Sequence, residues 1–363
     1  MRRCIRRFWR KYRSEISFKI VNTLAAFLAA KKRRKKPPRD DKILRKYKLG
    51  SLNLLSTTPR PDGRGPTTAR KFLTLASLYF LIKFFVCAGR LAFMIKIKNT
   101  NEIELMRQGG KILAFILGEL VKKIKPGVAT KELDELAENL IYQHGAMPGF
   151  KGFNDYPTTL CASINEEIVH ALPSGRKLKE GEIVSLDLGV LYPPEHCASC
   201  PMSSKSCGSQ RGLYTDAAIT VAVGKISPEA KKIIEAAKGA LAVAVDKIKP
   251  GRKLSEVSAA IEAYVKKQGL AVIRELVGHG VGYELHEEPE IPNFDFTNTR
   301  QFKDAVLKEG MTLAVEPMVA AGSYKIKKSK DKFGYLTEDD SLAAHFEHTV
   351  VVTEKGCEVL TKI

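Results

Sequence analysis

The sequence predicts an α/β fold in which helices cover a mainly antiparallel sheet. Three observations carry this. Apolar residues recur at helical spacing in paired segments, apolar runs of strand length stand between the pairs, and the whole plan occurs twice along the chain.

The pattern becomes regular at Met94. Asn101 and Glu104 have capping-box spacing, with the asparagine oxygen accepting at the helix start and the glutamate reaching back. The helix they open carries Ile103, Met106, Leu113 and Leu117 on one face and ends near Pro126-Gly127. A second helix is expected over 130–145, with Leu133, Leu136, Leu140 and Ile141 on one face. Strand-like runs follow at 182–192 and 213–223. Ser227-Pro228-Glu229 is then an N-cap with proline at the first helical position. That helix stops at Ile248-Lys249-Pro250-Gly251, as the first stops at Ile124-Lys125-Pro126-Gly127. Glu138 matches Glu262 and Gly145 matches Gly269, always 124 residues apart, so the chain reads as two similar halves about a pseudo-two-fold axis. Further strands are expected at 312–319 and 348–353.

Charge is distributed unevenly over the 363 residues. The net charge is +20, yet residues 1–93 hold 25 Lys+Arg against 4 Asp+Glu, and residues 94–363 hold 35 against 36. The basic character is confined to the leader, so the isoelectric point says nothing about the body's activity. Seven cysteines, an odd and mostly scattered set, do not read as a disulfide framework and imply a reducing compartment.

Four carboxylates interrupt apolar strand-like runs: Asp187 in Val184–Gly189, Asp216 in Tyr214–Ala218, Glu316 in Ala314–Met318 and Glu347 in His345–Thr349. A buried carboxylate is costly unless paired or metal-bound, and no run of lysines or arginines stands nearby. A pair of divalent cations would neutralise them. His279, in Gly278-His279-Gly280-Val281-Gly282, supplies a nitrogen donor where glycines admit close backbone approach. His286 follows seven residues on. One imidazole with four carboxylates suits two ions such as Mn, Fe, Co or Zn, and two adjacent ions suit hydrolysis.

This set, with Ser163-Ile164-Asn165-Glu166-Glu167-Ile168-Val169-His170, the Gly278–Pro289 run, Glu316-Pro317-Met318-Val319 and Phe346-Glu347-His348-Thr349, resembles the methionine aminopeptidases of the bacterial type across 94–363. The resemblance implies the pita-bread fold and removal of the first methionine from nascent chains whose second residue is small. It implies that Asp187 chelates one of two divalent ions, Asp216 and Glu347 bridge them, and His279 and Glu316 complete the other. Glu316 would be the general base, His286 would steady the scissile carbonyl, and His170 would contact the peptide and assist proton movement. Tyr156, Cys161, Phe150, Phe153 and Leu285 align with the family's methionine-side-chain pocket, where aromatic and sulfur groups suit a thioether. A monomer in the cytoplasm, working near the ribosome, is also implied.

Two segments depart from that pattern. Asp187 and Asp216 stand 29 residues apart, and the excess over a short hairpin lies at 193–211. His196, Cys197, Cys200 and Cys207 read either as a small zinc knuckle there or as free thiols on a loop. The basic leader, with an apolar stretch at 72–93, reads as a membrane anchor through that stretch, as a basic arm that touches ribosomal RNA, or as an upstream stretch not normally translated, with Met94 the true start. Two rival functions share the fold. A prolidase or aminopeptidase P usually carries a folded N-terminal domain that 1–93 does not resemble. A non-catalytic ribosome- or RNA-binding relative would lack ligands that all stand here.

Overall fold

The computed structural model describes residues 95–194 and 212–362. The leader and its apolar segment at 72–93, and His196, Cys197, Cys200 and Cys207 of the inserted loop, lie outside the described residues. No helix among the described residues is long and apolar enough to cross a membrane.

Among the described residues four α-helices occur in two pairs: α1 (Thr100–Lys123) with α2 (Thr130–Gln143), and α3 (Pro228–Lys247) with α4 (Leu254–Lys267). The capping box of α1 lies two residues earlier than the spacing suggested. Asn99 is the N-cap, its side chain accepts from the Glu102 N–H, and Glu102 accepts from the Asn99 N–H. Two Asn-x-x-Glu pairs overlap in this stretch, so spacing alone could not choose the register. Ser227 caps α3 as expected, with Pro228 following.

The two pairs share more than length. Ile124 and Ile248 are the C-caps of α1 and α3. After them Gly127 and Gly251 adopt φ of 93° and 84°, donating to the Leu178 and Leu307 carbonyls. Glu132 accepts from the Ala129 N–H at 3.1 Å, and Glu256 from the Lys253 N–H at 3.0 Å. The repeat read from the sequence is therefore a repeat of caps, stops and anchoring bonds.

The first half holds β1 (Met147–Pro148), β2 (Leu160–Ile164), β3 (Glu167–Val169), β4 (Ile183–Tyr192) and β5 (Leu213–Ala222). The second holds β6 (Ala271–Val272), β7 (Gly278–Gly280), β8 (Glu287–Ile291), β9 (Thr312–Val315), β10 (Met318–Ala320), β11 (Ile326–Lys328), β12 (Tyr335–Thr337), β13 (Ala343–His345), β14 (Glu347–Val352) and β15 (Cys357–Val359). The run expected at 312–319 is broken at Glu316-Pro317 into β9 and β10, because proline cannot donate to a ladder. The main sheet runs β1-β4-β5-β14-β9-β7-β8, with β2 also on β4 and β15 also on β14, and every pairing is antiparallel. The halves meet where β5 pairs β14.

Each helix pair buries its apolar face on its own part of this sheet. Leu113, Leu117, Leu133 and Ile141 pack with Leu186, Leu188 and Val190. Ile233, Val257, Ile261 and Val265 pack with Leu313, Val315 and Val350. Burying a side chain of this size contributes about 1.5–3 kcal/mol. The helices thereby commit one face of the sheet to packing, and strand alternation turns the intervening side chains to the other.

Candidate active site

Strand register gathers the acidic residues. Cys161 of β2 lies opposite Asp187 of β4, Asp187 opposite Ala218 of β5, and Ala218 opposite Glu347 of β14. Residues opposite one another share a face, so Cys161, Asp187, Ala218 and Glu347 form a row across the seam between the halves. Asp216, two residues before Ala218, is on the same face. His279 of β7 lies opposite Ala314 of β9, which lies opposite Thr349 of β14, two residues from Glu347. Glu316, two beyond Ala314, follows. Ligand atoms of Asp216, His279 and Glu347 lie within 4.8 Å of one another. His279 Nε2 is 3.5 Å from Glu316 Oε1, and the Asp187 and Asp216 carboxyls are close enough to perturb one another's ionisation.

The insertion leaves this arrangement intact. The β4–β5 ladder runs in unbroken register from Ile183↔Ala222 to Tyr192↔Leu213, so the loop leaves from the far end of the hairpin.

Local bonds fix the donors. The Asp216 N–H donates to Thr349 Oγ1 at 2.9 Å, and that hydroxyl donates back to the Asp216 carbonyl at 2.8 Å. The Asn293 amide donates to the Glu316 carbonyl at 3.1 Å. His279 Nδ1 is 2.9 Å from the Gly280 carbonyl. This bond assigns the proton to Nδ1 and leaves the Nε2 lone pair for the centre. A Cβ on Gly278 would stand 2.5 Å from the Ala314 carbonyl, and one on Gly280 would strike the Glu288 carbonyl, so only glycine admits this approach.

The electrostatics ask for a cation. Asp187 Oδ1, Asp216 Oδ1 and Glu347 Oε1 are buried without a hydrogen-bond partner. Burial pushes the Asp187 carboxyl up to about 7. Burial, reinforced by neighbouring carboxylates, holds Asp216 and Glu347 well above the ordinary range, and burial does the same for Glu316. Among the described residues these acids meet basic groups only at His279 and His345. Orphaned oxygens on several crowded carboxylates beside a free imidazole nitrogen fit divalent cations.

The remaining predicted residues surround this cluster. The His286 ring lies 4.2 Å from the His279 ring and 5.0 Å from Phe153, centroid to centroid. His170 follows β3 directly in the left-handed region, with φ of 59°, a strained setting for a non-glycine residue. Burial, then His286, His345 and Lys328, push His170 down to about 4, and burial lowers His286. Both are neutral imidazoles at neutral pH. Phe150, Tyr156, Cys161 and Leu285 form one buried apolar cluster, with Phe153 packed against it. The cluster adjoins the acidic row through Cys161.

Sequence reasoning did not single out Tyr214, Leu172 and Phe333, which pack on the same cluster. Tyr214 was accessible by alternation, being two residues before Asp216 on β5. Phe333 reaches the cluster from a distant loop and had no signal. His345 was also passed over. It is buried, and its Nε2 lies 3.5 Å from Glu316 Oε2.

Comparison with known proteins agrees with this geometry. The profile of metallopeptidase family M24 matches residues 104–354. The chain is 42% identical over 270 residues to methionine aminopeptidase 1 of Bacillus subtilis, covering 74% of this chain and all of that one. It is also similar to the crystal structure of methionine aminopeptidase from Thermotoga maritima, with 40% identity and a TM-score of 0.66 over 74% of this chain and all of that one. The prolidase of Pyrococcus furiosus is more distant, with 25% identity and a TM-score of 0.55 over 74% of this chain and 65% of that one. The fold is the pita-bread fold, and the chain belongs to metallopeptidase family M24, on its bacterial-type methionine aminopeptidase branch.

Proposed function

We propose that this chain removes the N-terminal methionine from peptides and nascent proteins with a small second residue. The observation that carries the reading is the cluster of Asp216, His279 and Glu347 within 4.8 Å beside the buried apolar cluster of Phe150, Tyr156, Cys161 and Leu285. Asp187, Asp216, His279, Glu316 and Glu347 would together hold two divalent ions: Co, Mn, Fe or Zn. Bound there, the ions would lower the pKa of a water and polarise the scissile carbonyl. Glu316 takes the proton of the attacking water and returns it to the departing amine. His286 donates to the carbonyl oxygen, and His170 steadies the peptide beside the bond. The pocket, with Tyr214 and Phe333 at its edge, encloses the thioether.

Residues 94–363 constitute the catalytic domain in this proposal. The family match over residues 104–354 and the match of the whole Bacillus subtilis relative to 74% of this chain support it. Free Cys161 and Cys357 accord with a reducing, cytoplasmic setting.

The test uses chain stripped of metal by a chelator. Mn, Co or Fe is then restored, and methionine release from Met-Ala-Ser is measured for wild type, for Glu316→Ala and for residues 94–363 alone. Metal-dependent release is expected from wild type and from 94–363. For Glu316→Ala it should fall by roughly 10²–10⁴-fold, the usual contribution of a general base. Cleavage of Ala-Pro in preference to Met-Ala-Ser would replace the reading with a prolidase. No release with any metal would remove the catalytic reading.

A further inference from the structure

The imidazole of His345 is 1% exposed, and neither ring nitrogen has a hydrogen-bond partner. A neutral imidazole always carries one N–H, and burying it unbonded is unfavourable. The backbone beneath it is held firmly. Thr220 Oγ1 donates to the His345 carbonyl at 2.8 Å and accepts from the His345 N–H at 2.9 Å. Ser185 Oγ lies 2.8 Å from the same hydroxyl. The single Thr220 hydrogen is committed to His345, so Ser185 is the donor in that contact. Two side chains, from β4 and β5, thus hold the β13 backbone at one residue whose ring is left free, with Nε2 facing Glu316 Oε2 at 3.5 Å.

Glu316 needs such a neighbour. Asp187 and Asp216 are fixed by the register of a long hairpin, but Glu316 lies in the break between β9 and β10, before Pro317. Its other oxygen faces His279. His279 belongs to the donor cluster and has Nδ1 committed to the Gly280 carbonyl, so a bound cation would take its remaining Nε2. His345 is not in that cluster and stays available to the carboxylate. We propose that His345 is a positioning residue. It holds Glu316 by its second oxygen and so sets how tightly the centre binds a divalent cation.

The inference rests on the metal-centre reading, and the test separates the two. Titration calorimetry with Mn²⁺ is run on the metal-stripped full chain as wild type, His345→Leu and His345→Gln. Melting of the metal-free proteins and the visible absorption of their Co²⁺ forms are recorded alongside. Leucine fills the space without an N–H, whereas glutamine restores one. His345→Leu should bind Mn²⁺ roughly 10–100-fold more weakly, the range for residues that orient a ligand. Its Co²⁺ bands should shift, and His345→Gln should recover most of both. Affinity of His345→Leu within twofold of wild type overturns the proposal. So does equal loss in both variants, which would make the imidazole itself a ligand. If His345→Leu does not fold, His345→Gln decides: affinity and bands near wild type support the proposal, and a ligand-like loss overturns it. A wild-type chain that takes up no Mn²⁺ overturns the metal-centre reading instead.

Discussion

The two halves of the chain are alike in scaffold and unlike in chemistry. Both have a helix stopped at an Ile-Lys-Pro-Gly turn, a second helix opened by a glutamate, and an apolar face on its own part of the sheet. The first half gives the candidate centre two aspartates from one hairpin. The second gives it a histidine and two glutamates from β7, β14 and the break between β9 and β10, with His345 behind them. Repetition preserved what packing demands of a helix on a sheet. The acid-bearing face of the seam, where β5 meets β14, was free to differ because it looks away from both cores.

The largest expected effect tests whether this division matters at the seam. Asp216 comes from the first half and Glu347 from the second, and both belong to the cluster. Asp216→Asn and Glu347→Gln should each weaken Mn²⁺ binding beyond the roughly 10–100-fold typical of outer residues, with similar losses from the two sides. Each substitution should also remove the rise in melting temperature that Mn²⁺ gives wild type, which scales as RT ln(1 + [L]/Kd), about 2.7 kcal/mol at a hundredfold excess over Kd. Calorimetry and thermal melts check both. A clear asymmetry would show that one half binds a cation alone and the other only completes the site.

The acidic seam was legible in the sequence because each acid interrupts an apolar run, and a charge in such a run needs a reason. The helix pairs were legible through periodicity and repeated stops. What escaped depended on tertiary placement. Phe333 reaches the pocket from a loop that no local pattern ties to it. The break at Glu316-Pro317 was hidden by continuous apolar residues on both sides, although the proline marked it. His345 stands in a stretch already read for Glu347, and only the structure shows its ring against Glu316.

A smaller effect sharpens the contrast through pH. His170 belongs to the first half, and burial holds its pKa at about 4, below the ordinary histidine value. The unfolded chain therefore takes up this proton first as pH falls. Stability from His170 is fully present above pH ~6.5 and is lost as pH drops towards about 4. The ring is half-buried, so about 2 kcal/mol is the expected scale. Denaturant melts of the metal-free chain between pH 7 and 4 should show this loss. His170→Asn, which also tolerates a left-handed backbone, should show less of it. An equal loss in the variant would assign the acid sensitivity elsewhere.

The smallest effect bears most directly on whether the halves are mechanically equivalent. Gly127 and Gly251 occupy matching turns at φ of 93° and 84°, and nothing lies within 4 Å of a Cβ built on either. Alanine at each position meets only backbone strain, about 1 kcal/mol. Each N–H still donates, to Leu178 in one half and Leu307 in the other. Gly127→Ala and Gly251→Ala should therefore lower stability by the same amount in chemical denaturation. The double variant should add the two within about 0.5 kcal/mol, as separated sites do. Methionine release should not change, since neither turn touches the seam. Unequal losses would mean that the repeat survives in geometry but not in energy, with one half carrying slack that the other lacks. Equal losses with unchanged activity would place the asymmetry of this molecule wholly in the side chains of its central strands.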